Sequence, residues 1–376
     1  MLLTPKQEEF RTMIREFAQK EIAPMAEHYD RTAEFPDENV RKLTERKLMG
    51  MIIPEKYGGL GLDTVSYAMA IEEISKACSS TGVILAVHTS VGTYPIYHFG
   101  TEKQRQKYLP ALTSGSLAAF AITEPEAGSD PKAVRTKAIK DKDGYVLDGS
   151  KTFITNGERA KTVIVIARTE PVAGKEGFSA FILEKGMKGF TYGKVEDKMG
   201  VKASQTLELF FDGVHVPEEN LLGSIGEGMK IALGSLDGGR IGIASQAVGI
   251  AQGAMEEAIK HAKARQQFGK PIAQLQAIQF KLADMSVKID AARCLTLRAA
   301  ALRDAKMGFS KEASQAKLFA STIANEVVRE ALQIHGGKGY MRGSKVERLY
   351  RDVKITEIYE GTNEIQRMVI ARSLLQ

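Results

Sequence analysis

Polar and apolar positions along the chain fall into three blocks. Thr4, Pro5 and Gln7 have the form of a capping box with proline at the first helical position, and they open an amphipathic run to about Ile22. PDENVRKLTERKLMG (36–50) and DTVSYAMAIEEISKA (63–77) read as further helices, separated by the turn-rich PEKYGGLGL (54–62). The apolar stretch Val83 to Val87 reads as a buried helix. After about Ser116 the pattern shortens. GYVLDGSKTFIT (144–155), KTVIVIAR (161–168), GFSAFILEK (177–185) and QTLELFFDGVHVP (205–217) are β-branched or aromatic and bounded by turn residues, which predicts antiparallel strands. Helical patterns return from about Gly223, over 241–265, 272–306, 311–334 and a last stretch ending at Gln376. Separate blocks predict an α+β chain, not an alternating βαβ fold. The domains expected are 1–116 helical, 117–224 β and 225–376 helical.

One interruption stands out. In IYEGTNEIQ (358–366) an apolar helical pattern breaks at Glu360 and Gly361 and resumes at Ile365. A glycine there is either punctuation or a place where a ligand approaches the backbone, and the pattern leaves both open.

Composition narrows the classes. The 376 residues are 43% hydrophobic and 26% charged, an ordinary globular balance with no apolar run long enough to span a bilayer. MLLTPKQEEF lacks the basic-then-apolar form of a secretory leader, and Cys78 and Cys294 suggest neither a disulfide framework nor a metal site. A reducing, cytoplasmic setting is therefore expected. The net charge of +6 suggests an anionic small molecule. Nucleic acid is disfavoured, because Lys and Arg are dispersed among acids without a basic tract.

Several chemistries are missing. GEGMKI (226–231) lacks the last glycine of a dinucleotide fingerprint, and neither a phosphate-binding P-loop nor G-x-S-x-G occurs. None of the six histidines has glutamate three residues before it, so a di-metal bundle site is unsupported. No metal is expected. The richest remaining stretch is FAITEPEAGSDPKAVRTKA (120–138), whose small polar residues and backbone N–H groups suit an anion or the edge of a heteroaromatic ring. On spacing alone, a capped loop between helix and strand is the favoured reading. In KTFITNGE, Phe153 offers an aromatic wall and Thr155 a hydroxyl, although a core phenylalanine beside a turn has the same pattern.

These segments carry a resemblance. FAITEPEAGSD, KTFITNG, LDGGRIGIASQAVGIAQ, ARQQFGKPIAQLQAIQFKLADM, QIHGGKGY and RDVKITEIYEGTNEIQR follow the order and spacing of the acyl-CoA dehydrogenase flavoproteins over essentially the whole chain. FTYGKVEDKMG and LDGGRIG look most like the short-chain, or butyryl-CoA, branch. The resemblance implies an N-terminal helical domain, a middle antiparallel β domain and a C-terminal four-helix bundle, assembled as a homotetramer of two dimers. It implies FAD contacts from Phe120, Ile122, Thr123, Gly128, Ser129, Phe153, Ile154 and Thr155, with Thr362, Glu364 and Gln366 along or near the same cofactor. Arg265, Phe268, Gln276, Gln333, Gly336 and Gly337 would reach the FAD of a neighbouring subunit. The Arg265 guanidinium is apt for a pyrophosphate. Ser129, Asp237, Arg240, Tyr359 and Gly361 are implied on the acyl-CoA side; for Asp237 a helix N-cap is the alternative.

The implied reaction removes the α proton of an acyl-CoA thioester while the β hydrogen leaves as hydride to the flavin. The product is a trans-2-enoyl-CoA, as in fatty-acid β-oxidation or butyrate metabolism. Glu360 would be the base, best served by a pKa raised towards neutrality, and its N–H would donate to the developing enolate. Some members of the family carry the base just before the arginine of LDGGR; here that position is Gly239, which cannot act. Electrons would pass to an electron-transfer flavoprotein. Departures are Phe153 for a frequent Trp, Glu126 for a frequent Gly and His335 for a frequent Leu. Acyl length is left open, and no cation for a dicarboxylyl substrate is evident. Alternatives are a branched-chain dehydrogenase, an acyl-CoA oxidase and, from another class, a non-catalytic CoA- or flavin-binding scaffold.

Overall fold

The computed structural model describes residues 3–171, 174 and 177–376. Its first helix, α1 (Pro5–Phe17), begins with the expected box: Gln7 N donates to Thr4 Oγ1 (3.3 Å) and Thr4 N to Gln7 Oε1 (2.9 Å). Wider π-helical turns at Ala18–Ile22 and His88–Thr93 interrupt the helical block. Between and after them come α2 (Ala26–Thr32), α3 (Asp37–Glu45), α4 (Thr64–Ala77), α5 (Ser79–Val87), α6 (Tyr94–Phe99) and α7 (Glu102–Thr113). Every residue of α4 is buried, since the helix packs against α1 on one side and the long α8 (Gly228–Ala264) on another.

The middle block is one sheet. Its strands are β1 (Leu117–Ala121), β2 (Lys137–Asp141), β3 (Gly144–Thr155), β4 (Ala160–Arg168), β5 (Phe178–Glu184), β6 (Phe190–Val195), β7 (Thr206–Pro217) and β8 (Leu221–Leu222). The order is β6-β7-β3-β2-β4-β5-β8, largely antiparallel as the alternating pattern predicts. β4 is buried on both faces over Thr162–Ala167, which is why it reads as a continuous apolar run. One pairing departs from expectation: β1 enters from the helical block and lies parallel to β4, Phe120 opposite Ile164. β2 meets β4 in the same sense at one pair, Lys137 with Arg168.

The C-terminal block is built from α8, α9 (Gln276–Asp304), α10 (Ser310–His335), the short α11 (Gly337–Tyr340), α12 (Lys345–Val353) and α13 (Asn363–Leu375). A small hairpin, β9 (Gln266–Gln267) and β10 (Lys270–Pro271), links α8 to α9. Alanines 244, 247, 251, 254 and 258 of α8 share a buried core with alanines 313, 316, 320 and 324 of α10, so the two backbones approach closely. α8 starts at Gly228, well before the Ile241 read from the sequence, and spans about 55 Å. Its glycines look like breakers, but several mark close approaches: Tyr67 reaches Gly242, and the α4 backbone at Glu72 reaches Gly249. The same placement corrects the N-cap alternative for Asp237, which sits inside α8.

Arg351 on α12 ties the blocks together. It donates to Asp30 of α2 (2.8 and 2.6 Å), to Glu347 (2.6 and 2.9 Å) and to the Met199 carbonyl between β6 and β7 (3.3 Å). Among the described residues no helix is long and apolar enough to cross a membrane.

Candidate active site

The break at 358–363 is a tight turn between a 3-10 segment (Lys354–Glu357) and α13. Glu360 has φ 51° and Gly361 φ 90°, so two successive residues are left-handed. Glycine adopts this freely, whereas for glutamate it costs about 1–2 kcal/mol, which the surrounding bonds must offset. Thr362 closes the turn as N-cap of α13, its hydroxyl accepting from Ile365 N (3.4 Å). Fully buried Gln366 donates to the carbonyls of Glu360 (3.3 Å) and Gly361 (2.8 Å). Lys317 Nζ donates to the Gly361 carbonyl (2.9 Å) and Asn363 Oδ1 (3.0 Å). Glu364 points outward.

The turn delivers the Glu360 side chain inward. The residue as a whole is half-buried, but both carboxyl oxygens are enclosed and neither has a hydrogen-bond partner among the described residues. Burial pushes the carboxyl up to about 7, against the pull of Arg240 and Lys317. The carboxylate lies against α8 at Gly239, where a Cβ would come within 1.6 Å of Oε2. Next to it is an apolar patch of Val83, Val87 and Val91, with Phe120, Leu236 and Tyr359 packed against it. The Tyr359 hydroxyl donates to Gln246 Oε1. One step along α8, Asp237 accepts from Arg240 Nη1 (2.5 Å) and from Ser310 (2.9 Å), while Arg240 also donates to Ser314 (3.2 Å). Burial raises the Asp237 carboxyl and the Arg240 charge opposes that rise. A carboxyl raised to about 7, an apolar cluster and a buried arginine are thus gathered around one stretch of α8.

A second surface lies on the sheet. β3 carries a register shift between Lys151 and Ile154, and at this bulge Phe153 takes φ 58° and stands 63% exposed while Ile154 turns inward. Thr152 N donates to the Thr123 carbonyl (2.9 Å), which seats Ile122 and Thr123 beside this bulge, with Thr155 half-buried at the strand end. Gly128 and Ser129 are exposed, and a Cβ on Gly128 would meet nothing. An uncovered aromatic ring, hydroxyls and an open backbone loop together fit a flat heteroaromatic group such as a flavin.

A third group is exposed at one end of the bundle. Arg265 caps α8, its N–H bonded to the His261 carbonyl (2.8 Å), and Gln276 opens α9. At the hairpin tip Phe268 has φ 52° and is 89% exposed. His261 stacks on His335 (centroids 4.4 Å apart), which brings the α8 end to the α10 end carrying Gln333, Gly336 and Gly337. Space around both glycines is open. His335 thus ends α10. Among the described residues no cluster of His, Cys, Asp or Glu could hold a metal ion.

Three family models cover this chain: the acyl-CoA dehydrogenase N-terminal domain over residues 4–116, the middle domain over 119–214 and the C-terminal domain over 226–375. The chain belongs to the acyl-CoA dehydrogenase family. It is an oxidoreductase acting on acyl-CoA. It is 48% identical to the short-chain specific acyl-CoA dehydrogenase of Clostridium acetobutylicum over 375 residues, which is 100% of this chain and 99% of the relative. The solved butyryl-CoA dehydrogenase of Megasphaera elsdenii matches with TM-score 0.97 and 46% identity, covering all of both chains. A chain in the structure of the electron transferring flavoprotein of Acidaminococcus fermentans matches with TM-score 0.98 and 49% identity, covering 100% of this chain and 99% of that one.

Within this acyl-CoA dehydrogenase, four residues that shape the site are not evident from the sequence. Lys151 is fully buried and donates to Glu124 (2.7 Å) and the Ile122 carbonyl (3.1 Å), and Glu124 in turn accepts from Arg135 N (2.6 Å) and Thr136 N (3.0 Å). This pair fixes the loop beneath Thr123 from below. Neither residue stands out locally, since Lys151 follows Asp148, Gly149 and Ser150 and Glu124 lies between Thr123 and Pro125. Lys317 reads as one more lysine in a mixed helix. Arg303 is the cation the sequence does not show: its guanidinium lies 4.1 Å over the Tyr94 ring, with Nη1 buried, unpartnered among the described residues and against Gly238.

Proposed function

We propose that this enzyme is a FAD-dependent dehydrogenase of short-chain acyl-CoA thioesters that yields trans-2-enoyl-CoA and passes electrons to an electron-transfer flavoprotein. The observation that carries the reading is the Glu360 carboxyl, enclosed, without a partner among the described residues and seated against Gly239 beside the valine patch. A carboxyl raised to about 7 is poised to take a weakly acidic proton near neutral pH. The substrate's acyl group would lie along the apolar cluster of Val83, Val87 and Val91, against which Tyr359 packs. Its thioester meets the turn at Gly361, and Glu360 takes the α proton. The Glu360 N–H donates to no backbone acceptor among the described residues and is the donor for the carbonyl oxygen, where negative charge grows only in the transition state. Arg240, Asp237 and Ser129 serve the CoA portion.

Phe120, Ile122, Thr123, Gly128, Ser129, Phe153, Ile154, Thr155, Thr362, Glu364 and Gln366 would hold FAD, with Arg265, Phe268, Gln276, Gln333, Gly336 and Gly337 reaching the cofactor of a neighbouring copy in a homotetramer. Bound there, FAD supplies the acceptor for the β hydride. The similarity to the chain from the electron transferring flavoprotein structure supports that partner. We place the domain boundaries after residues 116 and 224, consistent with β1 starting at Leu117 and α8 at Gly228. Cys78 and Cys294 are unpaired, which supports a cytoplasmic setting.

The test is anaerobic titration of the yellow protein with butyryl-CoA. Bleaching is expected for the wild type, and a yellow but unbleached protein for Glu360→Gln. A variant that bleached at the wild-type rate would overturn the assignment of the base.

A further inference from the structure

Lys317 is a buried lysine that the proposed reaction does not use; burial lowers its pKa to about 7, so it carries its charge below neutral pH, along the acid limb. It sits on α10 with its side chain wholly enclosed, and no carboxylate of the described residues lies within ion-pair distance of its Nζ. Enclosing an ammonium costs several kcal/mol, so an apolar residue would fill this space with less penalty. Its two bonds go to the Gly361 carbonyl (2.9 Å) and Asn363 Oδ1 (3.0 Å), and Ser321, one turn along α10, also donates to Asn363 Oδ1 (3.0 Å). With Gln366 on the same carbonyl (2.8 Å), α10 and α13 grip the backbone of the catalytic turn from one side.

That grip has a direction. The carbonyls of Glu360 and Gly361 are drawn into the protein, so the left-handed pair at 360–361 is held with the Glu360 N–H unspent. We propose that Lys317 is a positioning residue for the catalytic turn: it locks the Gly361 carbonyl and places a positive charge behind the Glu360 carboxylate. This inference rests on the assignment of Glu360 as base. The other charged groups around the pair are Arg240 on α8, Glu357 before the turn and Glu364 on α13. Tyr67 on α4 and Tyr359 also face the carboxylate, with Arg303 of α9 near Tyr67. Of these, Arg240 and Lys317 are the two that favour the charged carboxylate.

The test compares Lys317→Met with wild type and Glu360→Gln in flavin-loaded enzyme, reading kcat, KM and the pH profile for butyryl-CoA. Methionine keeps the volume and removes the charge and both bonds. We expect the acid limb of kcat to move up by about one pH unit, because the carboxylate loses a nearby counter-charge. We also expect kcat to fall about tenfold or more from the loosened turn, with flavin content unchanged. A variant that melts earlier but keeps the wild-type acid limb would reduce Lys317 to a structural role and overturn the proposal. If Lys317→Met does not accumulate folded, Lys317→Arg replaces it: the charge is kept, so the limb must stay in place while kcat falls. A shifted limb there would also overturn the proposal. Failure of the base assignment shows separately, as turnover retained in Glu360→Gln.

Discussion

The carboxylate of Glu360 occupies the space that a side chain at position 239 would need: a Cβ on Gly239 would lie 1.6 Å from Oε2. The absence of a side chain on α8 is therefore what lets this carboxylate reach in from the turn. One residue earlier the same bareness admits Arg303 to Gly238, where an added Cβ would lie 2.9 Å from Nη1.

Gly239→Ala should displace the carboxylate while leaving the helix intact, since alanine is the better helix former by about 1 kcal/mol. We expect kcat to fall about a hundredfold from the misplaced base, with flavin content at the wild-type level. Steady-state kinetics with flavin quantification checks this, and an unchanged kcat would show that the carboxylate is not seated there.

Glu360→Gln should stabilise the protein above neutral pH. In the fold the carboxyl is raised to about 7 from 4.5, so between those values the native state holds the proton that the unfolded state has lost. Native protons then outnumber unfolded ones, and stability contributed by this group falls as pH rises through that window. Above pH 7 the full cost is about 3 kcal/mol. Melting curves should show the variant well above wild type at pH 8 and closer to it at pH 5. An equal gap at both would contradict the enclosed carboxyl.

Phe153→Ala should loosen flavin without harming the fold. The ring is mostly exposed and sits at positive φ, so it adds little to the sheet. An aromatic contact of roughly 1 kcal/mol corresponds to a several-fold weaker FAD dissociation constant. Apoprotein melting should change by no more than about 0.5 kcal/mol. Flavin titration of the apoprotein measures the first effect.

Arg351→Ala should destabilise by about 3–5 kcal/mol, since Asp30 and Glu347 would lose their partner in a largely enclosed site. Arg41→Ala, whose pairs with Glu38 and Glu45 are exposed, should leave stability close to the wild-type value. Urea unfolding of the two variants separates the cases.

How much is legible follows from which residues announce themselves locally. The Thr4 box, the alternating strands and the Glu360–Gly361 break are local patterns, and each appears where its spacing puts it. The start of α8 is hidden because its glycines oppose helix by propensity, while their reason lies in Tyr67, Arg303 and Glu360 arriving from elsewhere. β1 alongside β4 is a long-range parallel pairing that no local period encodes. Lys151, Lys317 and Arg303 look like surface cations until the fold buries them. The carboxylate proposed as the base is visible in the sequence; the groups that surround it are not.

Phe268 at the hairpin tip makes the cofactor a matter of mass action. Its ring is 89% exposed, and its own chain leaves it without cover. If Phe268 and Arg265 close over the flavin of another copy, each flavin is bound by two chains, and holding it becomes linked to assembly. Diluting the enzyme then releases colour as well as subunits, and added FAD draws the copies back together. The flavin becomes a ligand that reports how many chains are present.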